Sequence, residues 1–380
     1  MIHTTEIGRM GLRLLACLAI AVASPLARAD GDRLDTPAFR APKASGAMLL
    51  DVVSAGDRLV AVGEHGIIVY SDTKGASWRQ AEVPVSVTLT AVFFPTPRNG
   101  WAVGHDGVIL RSDDGGGRWS KQFDGNRANA LVIDAAQRRL REAGAVNGAS
   151  AAAQEAQRAL EDAQAGAKFG PSRPLFDVWF RNTSEGIVVG SFGQLFHTAD
   201  GGRSWALWRE RIANPDNLHY NAISVTGQGA LLIAGEGGRV YRSIDGGASW
   251  ATLDTGYPGQ LYGVLGVAAA AGREVLIAFG FGGRVFRSVD DGAHWLPVAL
   301  AEKKPLVSGL VAPDGGIALL TFDGRIWRSQ DQGQRFTPAG GGAGMPAAAM
   351  TPAGKDAYLV AGASGTRRVS LQGGTGAGQP

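Results

Sequence analysis

A glycine that returns at regular spacing limits the fold of this chain more than any other feature. Each copy is followed five residues later by a serine or threonine, and four residues after that by a second glycine. Two offsets held through seven copies indicate an internal repeat, so one structural unit is used seven times. The intervals between copies are 41, 86, 45, 45, 41 and 41 residues. The marker glycines are Gly66, Gly107, Gly193, Gly238, Gly283, Gly324 and Gly365.

Each unit is predicted to form a small β-sheet. It carries three short runs of β-forming residues and a fourth run after an aromatic residue, as in 77–83. Four short strands repeated every 41–45 residues are typical of a propeller blade. One such sheet cannot bury both of its faces, so the sheets must stack on each other around an axis. We therefore predict an all-β, seven-bladed β-propeller of four-stranded antiparallel blades over residues 45–380.

The turn after the third run has the pattern Ser-x-Asp-x-Gly-x-x-Trp, known as the Asp box or BNR motif. Its carboxylate can accept backbone N–H bonds from its own turn, and its Trp can cover neighbouring strands. One such Asp per blade cannot converge on a single site, so we predict a structural role rather than catalysis or calcium binding. Four copies have the full pattern, and a fifth ends in Phe336 instead of Trp. The first unit has Thr73 in place of the Asp. The predicted structural residues are Asp114, Trp119, Asp200, Trp205, Asp245, Trp250, Asp290, Trp295 and Asp331.

The N-terminus predicts export. Arg9 and Arg13 precede an apolar run over 14–26, which ends in Ala27-Arg28-Ala29. This pattern is typical of a signal peptide over 1–29 cleaved after Ala29, and the run is too short to span a bilayer comfortably. We expect a periplasmic or secreted protein that does not span the membrane after cleavage.

Cleavage also removes charge and the only cysteine. The remaining chain has a formal charge of +1, which gives nucleic acid no electrostatic reason to bind. Cys17 leaves with the signal peptide, so no disulfide is expected.

Two segments lie outside the repeat. The N-terminal arm, 30–44, precedes the first unit; its residues 34–43 are predicted to supply the outer strand that the last unit lacks, although Pro37 and Pro42 also suit a free leader. The 86-residue interval contains an insertion over 126–168. Helical patterns over 128–143 and 151–165, with Ser150 as N-cap, predict an antiparallel hairpin. It would serve either as a partner-binding element or as a solvated spacer.

The turns between the second and third runs hold the candidate binding residues. Phe192, Phe281 and Phe322 occupy turn positions, where they form either an exposed apolar patch or a lining of the central channel. A second set consists of repeated arginines four residues ahead of the motif, which either bind acidic partners or pair locally. These arginines are Arg239, Arg284 and Arg325. Two histidines of the same turns, His65 and His105, are considered as metal ligands. Lone turn histidines rarely hold a metal, so we expect neither metal nor cofactor.

Asp boxes also occur in sialidases, so a secreted Asp-box glycosidase is the alternative function. Such an enzyme needs an arginine cluster and a nucleophilic tyrosine with a partnering acid. The candidate nucleophiles are Tyr220, Tyr257 and Tyr262. Sialidases of this kind resemble six-bladed rings opened by an Arg-Ile-Pro-type segment, and this sequence has neither feature.

The stretch from Gly100-Trp101-Ala102-Val103-Gly104 through Trp119 resembles the photosystem II stability/assembly factor family. The resemblance extends over nearly all of the predicted mature chain. It implies a luminal or periplasmic, non-enzymatic propeller that binds membrane-protein precursors during assembly. We therefore expect a monomeric scaffold for a membrane-protein client or a subunit of an envelope complex.

Overall fold

The computed structural model describes residues 32–146, 150–269 and 272–371, and in these residues twenty-seven strands form seven antiparallel sheets. Each sheet consists of strands consecutive in the chain. The predicted signal peptide lies outside the described residues. The strands of the first three sheets are β1 (Leu49–Ala55), β2 (Arg58–Gly63), β3 (Ile68–Ser71) and β4 (Arg79–Gln80); β5 (Leu89–Phe93), β6 (Gly100–Gly104), β7 (Ile109–Ser112) and β8 (Ser120–Phe123); and β9 (Leu175–Phe180), β10 (Gly186–Gly190), β11 (Leu195–Thr198) and β12 (Ala206–Leu207).

The remaining four sheets repeat this arrangement, but the last has three strands within the described residues. Their strands are β13 (Tyr220–Val225), β14 (Leu231–Gly235), β15 (Arg239–Ser243) and β16 (Ala251–Asp254); β17 (Leu261–Ala268), β18 (Glu274–Gly280), β19 (Val285–Ser288) and β20 (Leu296–Val298); β21 (Leu306–Val311), β22 (Ile317–Thr321), β23 (Ile326–Ser329) and β24 (Thr337–Ala339); and β25 (Ala347–Pro352), β26 (Ala357–Gly362) and β27 (Gly365–Ser370).

The sheets form a closed ring of seven blades. The first strand of each blade contacts the first strand of the next, and β25 contacts β1. The second strand of each blade is buried along nearly its whole length, since neighbouring blades cover both faces. The predicted seven-bladed propeller is confirmed.

Apolar packing closes the ring. Leu49 and Leu59 of the first blade share one buried cluster with Ala349, Leu359 and Ala361 of the last. This cluster resembles the clusters between the other blades, so the last contact of the ring uses the same physical force as the rest.

The N-terminal arm does not form the outer strand predicted for the last blade. Its described residues contain no strand, and it lies beside the first blade. The Ala38 N–H donates to the Val83 carbonyl (3.0 Å), and the Ser86 N–H donates to the Arg33 carbonyl (2.9 Å). Leu34 is buried in the apolar cluster that contains Val83. Burying Leu34 there holds this part of the arm beside the first blade, whereas Ala44–Gly46 at its end contacts the start of β27.

The turn between the second and third strands is one residue shorter in the last blade than in the others. In the last blade Gly362 pairs directly with Gly365 across a two-residue turn. Elsewhere a three-residue 3-10 turn or its equivalent separates the second and third strands, as at Glu64–Gly66. Val369 therefore occupies the register position that Ser71 has in the first blade, and Ser370 lies one position further along β27.

The predicted helical hairpin is present. Helix α1 spans Gly125–Val146 and helix α2 spans Ala151–Ala167. The Ser150 hydroxyl accepts a hydrogen bond from the Ala153 N–H (3.2 Å), as expected of an N-cap. Leu160 of α2 is buried. Neither helix, nor any other in the described residues, is long and apolar enough to cross a membrane.

Candidate functional site

Seven β-bulges shape the central channel. Each innermost strand carries an extra residue at the same register position, one residue after its first. A bulge re-aims a side chain, and all seven bulge residues line a channel cavity of about 270 Å³. The bulge residues are Leu50, Thr90, Phe176, Asn221, Tyr262, Val307 and Ala348.

Aromatic side chains surround one mouth of this channel. Phe176 and Tyr262 approach it from their bulges, while Phe281 and Phe322 approach it from turns between second and third strands. Together they line a cavity of about 560 Å³, which we call the aromatic cup. Phe281 and Phe322 remain 55% and 52% exposed, so they lie at its open edge. The other lining residues are Asn221, Pro305, Val307, Ala347 and Ala348.

Phe192 lies on the same rim but outside the cup. Its ring centroid is 4.8 Å from that of His219, which lies 5.9 Å from Phe176. The Arg173 guanidinium lies 5.5 Å from the Phe192 centroid. At φ 54°, Phe192 adopts a left-handed conformation that is unfavourable for a bulky residue. The structure thus connects Phe192 to the cup through His219, while it brings Phe281 and Phe322 together directly.

Two half-buried carboxylates line the channel. Asp51 Oδ2 accepts from the Val92 N–H (2.8 Å), and Asp177 Oδ2 accepts from the Ile223 N–H (2.9 Å). Each bond connects an innermost strand to that of the next blade. Burial raises the pKa of Asp51 to about 6. Burial also raises the pKa of Asp177 to about 7, and the Asp51 charge contributes to this increase.

Two of the three predicted rim arginines pair with a nearby carboxylate. Arg239 pairs with Asp254, and Arg325 pairs with Glu302. Arg284 is exposed and makes no ion pair with any described residue. Local pairing therefore accounts for two of them.

His65 and His105 are exposed in the equivalent turns of the first two blades. The carboxylates next to them are engaged: Glu64 accepts the Met48 N–H (2.9 Å), and Asp106 pairs with Arg33 (3.5 Å). No group of three or more His, Cys, Asp or Glu side chains in the described part of the chain is placed to hold a metal.

The Asp boxes are local structural devices. The Ser112 hydroxyl donates to Asp114 (2.8 Å) and accepts the Gly116 N–H (2.9 Å), while Asp114 accepts the Arg118 N–H (3.0 Å). The Trp119 indole donates to the Gly116 carbonyl (3.0 Å). In the first blade the Thr73 hydroxyl replaces the carboxylate, accepting the Ser77 N–H at 2.8 Å.

Hydrogen bonds within the boxes lower the pKa of their acids. The Ser204 side chain lowers the pKa of Asp200 to about 2, and the His294 backbone N–H lowers that of Asp290 to about 2. The Ser249 side chain similarly lowers the pKa of Asp245. Carboxylates held ionised in separate blades do not form an acid–base pair.

The tyrosines considered for glycosidase chemistry are also separated. Tyr220 is fully buried, and burial raises the pKa of its phenol. The Tyr257 hydroxyl donates to the Phe281 carbonyl (3.1 Å). Tyr262 lines the cup, but no arginine or carboxylate is among the residues that line it. The cup therefore lacks the polar groups that a sialidase uses.

Phe176 and Tyr262 were not predicted as members of the cup. A signal was present, because the bulge residue lies 17 positions before the marker glycine in five blades. Phe176, Asn221 and Val307 all follow this offset. A repeated offset alone could not show that these positions face the channel.

Comparisons with known proteins agree with this architecture. The solved structure of "YCF48 bound to D1 peptide" is 15% identical, covers 86% of this chain and 94% of its own, and has a TM-score of 0.59. YCF48 from Cyanidioschyzon merolae is 15% identical, with 86% and 96% covered and a TM-score of 0.57. The WD40 propeller domain of Doa1 is 11% identical, with 90% and 97% covered and a TM-score of 0.60. These similarities show the fold.

Sequence comparison identifies the family. No curated protein matches this chain by sequence. The profile of the photosynthesis system II assembly factor YCF48 family matches residues 70–137 and 167–304, which together exceed half of the chain. With its Asp-box blades closed into a propeller, this chain belongs to the YCF48 family of photosystem II assembly factors.

Proposed function

We propose that this protein is an exported, non-catalytic assembly factor that binds an extended segment of a membrane-protein client at the aromatic cup. The cup carries the proposal. Aromatic side chains from separate blades converge on one cavity of about 560 Å³. Exposed apolar residues around a concavity are typical of binding sites. Since Phe281 and Phe322 leave about half of their surface in solvent, folding alone does not explain them.

The family supports a peptide as the ligand. One structurally similar family member is solved as YCF48 bound to D1 peptide. A peptide segment suits the cup because an aromatic or branched aliphatic side chain can fill it, while the surrounding rim offers polar contacts. The client is then a membrane protein or a subunit of an envelope complex.

The hairpin extends this binding rim. Helix α1 contacts the turn His105–Gly107, so it rises from the rim that carries Phe192 and the cup. Arg139 of α1 pairs with Glu210 of the third blade (2.9 Å). This contact holds the hairpin against the third blade, which also carries Phe192, so the hairpin would add a wall to the client site.

Peptide selection tests the cup. Display of random 15-residue peptides against the native protein should enrich peptides with an aromatic or branched aliphatic anchor. Replacing Phe281 and Phe322 with Ser should weaken their binding about tenfold or more, because the anchor loses its apolar contacts. Phe39→Ser is the matched control, since Phe39 is 77% exposed on the arm.

Equal binding by the cup variant and the native protein would overturn the proposal. The same purified protein should not hydrolyse a fluorogenic sialoside, and turnover would favour the glycosidase alternative instead.

Export and oligomeric state have direct measurements. The mature protein should begin at Asp30 by mass spectrometry and fractionate with the periplasm or medium. Light scattering should give the mass of a monomer. A chain that retains residues 1–29 in the cytoplasm would contradict the export proposal.

A further inference from the structure

The last blade has one strand edge that no described strand covers. In six blades the third strand pairs with a fourth, whereas β27 pairs only with β26 within the described residues. An open strand edge presents backbone N–H and C=O groups that can pair with another strand.

The residues along this edge differ from their equivalents. In the first blade, Val69 and Tyr70 pair with the fourth strand. The corresponding residues in β27 are Arg367 and Arg368. They pair with Val360 and Leu359 of β26, which have the same register positions as Ala61 and Val60 of β2. Both arginines are exposed.

The position of Arg367 is apolar or aromatic and buried in every other blade. An arginine there is unsuited to an apolar core, so the sequence keeps this edge polar. The equivalent buried residues are Val69, Leu110, Phe196, Tyr241, Phe286 and Trp327.

The two arginines of this edge differ from their equivalents in their ion pairs. Neither Arg367 nor Arg368 forms an ion pair with a described residue. At the position of Arg368, by contrast, Arg242 pairs with Asp291 (3.0 Å) and Arg328 with Asp314 (2.7 Å).

We propose that β27 is a docking edge at which an extended acidic segment of another protein adds as the fourth strand of the last blade. Backbone hydrogen bonds would provide the pairing, and adjacent carboxylates opposite Arg367 and Arg368 would provide selectivity. Only the assignment of this segment to a client rests on the proposed function; the edge itself is separate from the cup.

Other occupants fit the edge less well. The arm is bound beside the first blade through Leu34. A second copy would place Arg367 and Arg368 against the same arginines of its partner, and like charges across a strand pair are destabilising. In the other blades the fourth strand begins eight residues after the Asp-box hydroxyl. Counting from Val369, that segment here is Ala377–Gly378–Gln379–Pro380, whose Gly and Pro are depleted in strands.

Binding of two labelled peptides to the mature protein tests the edge. The probe is acetyl-Thr-Val-Glu-Glu-Val-Thr-amide, and the control peptide has Lys-Lys in place of Glu-Glu. Fluorescence anisotropy should show a preference for the acidic peptide of about tenfold. The double variant Arg367→Glu with Arg368→Glu should reverse this preference, an outcome that an unfolded variant could not give.

Backbone methylation tests strand pairing. An added strand uses the N–H groups of one edge, so methylating one alternating set of peptide amides should abolish binding and methylating the other set should leave it. If neither set matters, charge alone attracts the peptide and the proposal is wrong.

Two protein variants locate the site. Arg284→Glu removes another exposed arginine without an ion pair, and it should leave binding unchanged. The cup variant Phe281→Ser with Phe322→Ser should also bind the acidic peptide normally, so failure of the edge and failure of the cup are distinguishable.

Two outcomes would assign the edge to a different occupant. Binding that emerges only after removal of residues 372–380 would identify the chain's own segment. A dimer that the acidic peptide dissociates would identify a second copy.

Discussion

At the residue scale, the channel shows how one carboxylate can connect blades. The Asp177 carboxylate accepts hydrogen bonds from the N–H of the neighbouring Val178 and from the Ile223 N–H of the next blade. Its partly buried position favours the protonated form, which raises the pKa to about 7 from an ordinary value near 4. Because the folded pKa is raised, the stabilisation from proton binding is complete below about pH 4 and is lost as pH rises to about 7.

Asp177→Asn should remove this pH dependence. The amide cannot ionise, although it accepts one backbone bond fewer than the carboxylate. The unfolding free energy of the variant minus that of the native protein should therefore increase by a few kcal/mol as pH rises from 4 to 8, at about 1.4 kcal/mol per pKa unit. Denaturant unfolding at several pH values measures this difference.

Asp245→Asn provides the control. Its exposed carboxylate has a lowered pKa, so its contribution is lost only as pH falls below about 4. The difference in unfolding free energy between Asp245→Asn and the native protein should stay constant between pH 4 and pH 8. A similarly flat difference for Asp177→Asn would contradict the channel interpretation.

At the element scale, the hairpin is inserted between the last strand of the second blade and the first strand of the third. Gly125 lies against Pro171, so the insertion leaves and re-enters the blade at neighbouring positions. Ala128 and Leu131 pack on the core between the second and third blades, whereas most of both helices faces solvent.

Deleting residues 127–167 should leave the propeller folded. The loss of packing by Ala128 and Leu131 should cost about 1–3 kcal/mol. Thermal unfolding followed by circular dichroism should show an intact β-sheet signal with a melting temperature lower by several degrees. If the sheet signal disappears, the hairpin is part of the propeller core.

At the scale of the whole molecule, closure of the ring depends on packing rather than on a strand shared by the first and last blades. Leu359 is 2% exposed in the cluster that joins them. Leu359→Ala should destabilise the protein by about 2–5 kcal/mol, the usual cost of truncating a buried leucine.

Leu232→Ala is the comparison variant, because Leu232 is fully buried between the fourth and fifth blades. The two denaturant midpoints should fall by similar amounts. A much smaller effect of Leu359→Ala would indicate that the first and last blades separate easily.

The sequence by itself determined the repeating parts of this protein. Seven glycine markers predicted the blades because each blade forms from contacts within about 45 residues. The Asp boxes were equally predictable, as Ser112 and Asp114 bond within their own turn. Ser150 predicted the start of α2 because capping is local.

Only the tertiary structure decided which separate parts meet. Phe176, Tyr262 and Phe281 join one cup because bulges and turns of different blades approach the same axis. The same is true of the arm, since Leu34 selects the first blade through burial rather than through any strand pattern. The sequence indicated that the last unit lacks its outer strand, but the register position of Arg367 was hidden, because it depends on a turn one residue shorter than in the other blades. Local sequence sets hydrogen bonding within a turn or blade, whereas the meeting of distant side chains depends on how the closed ring orients them.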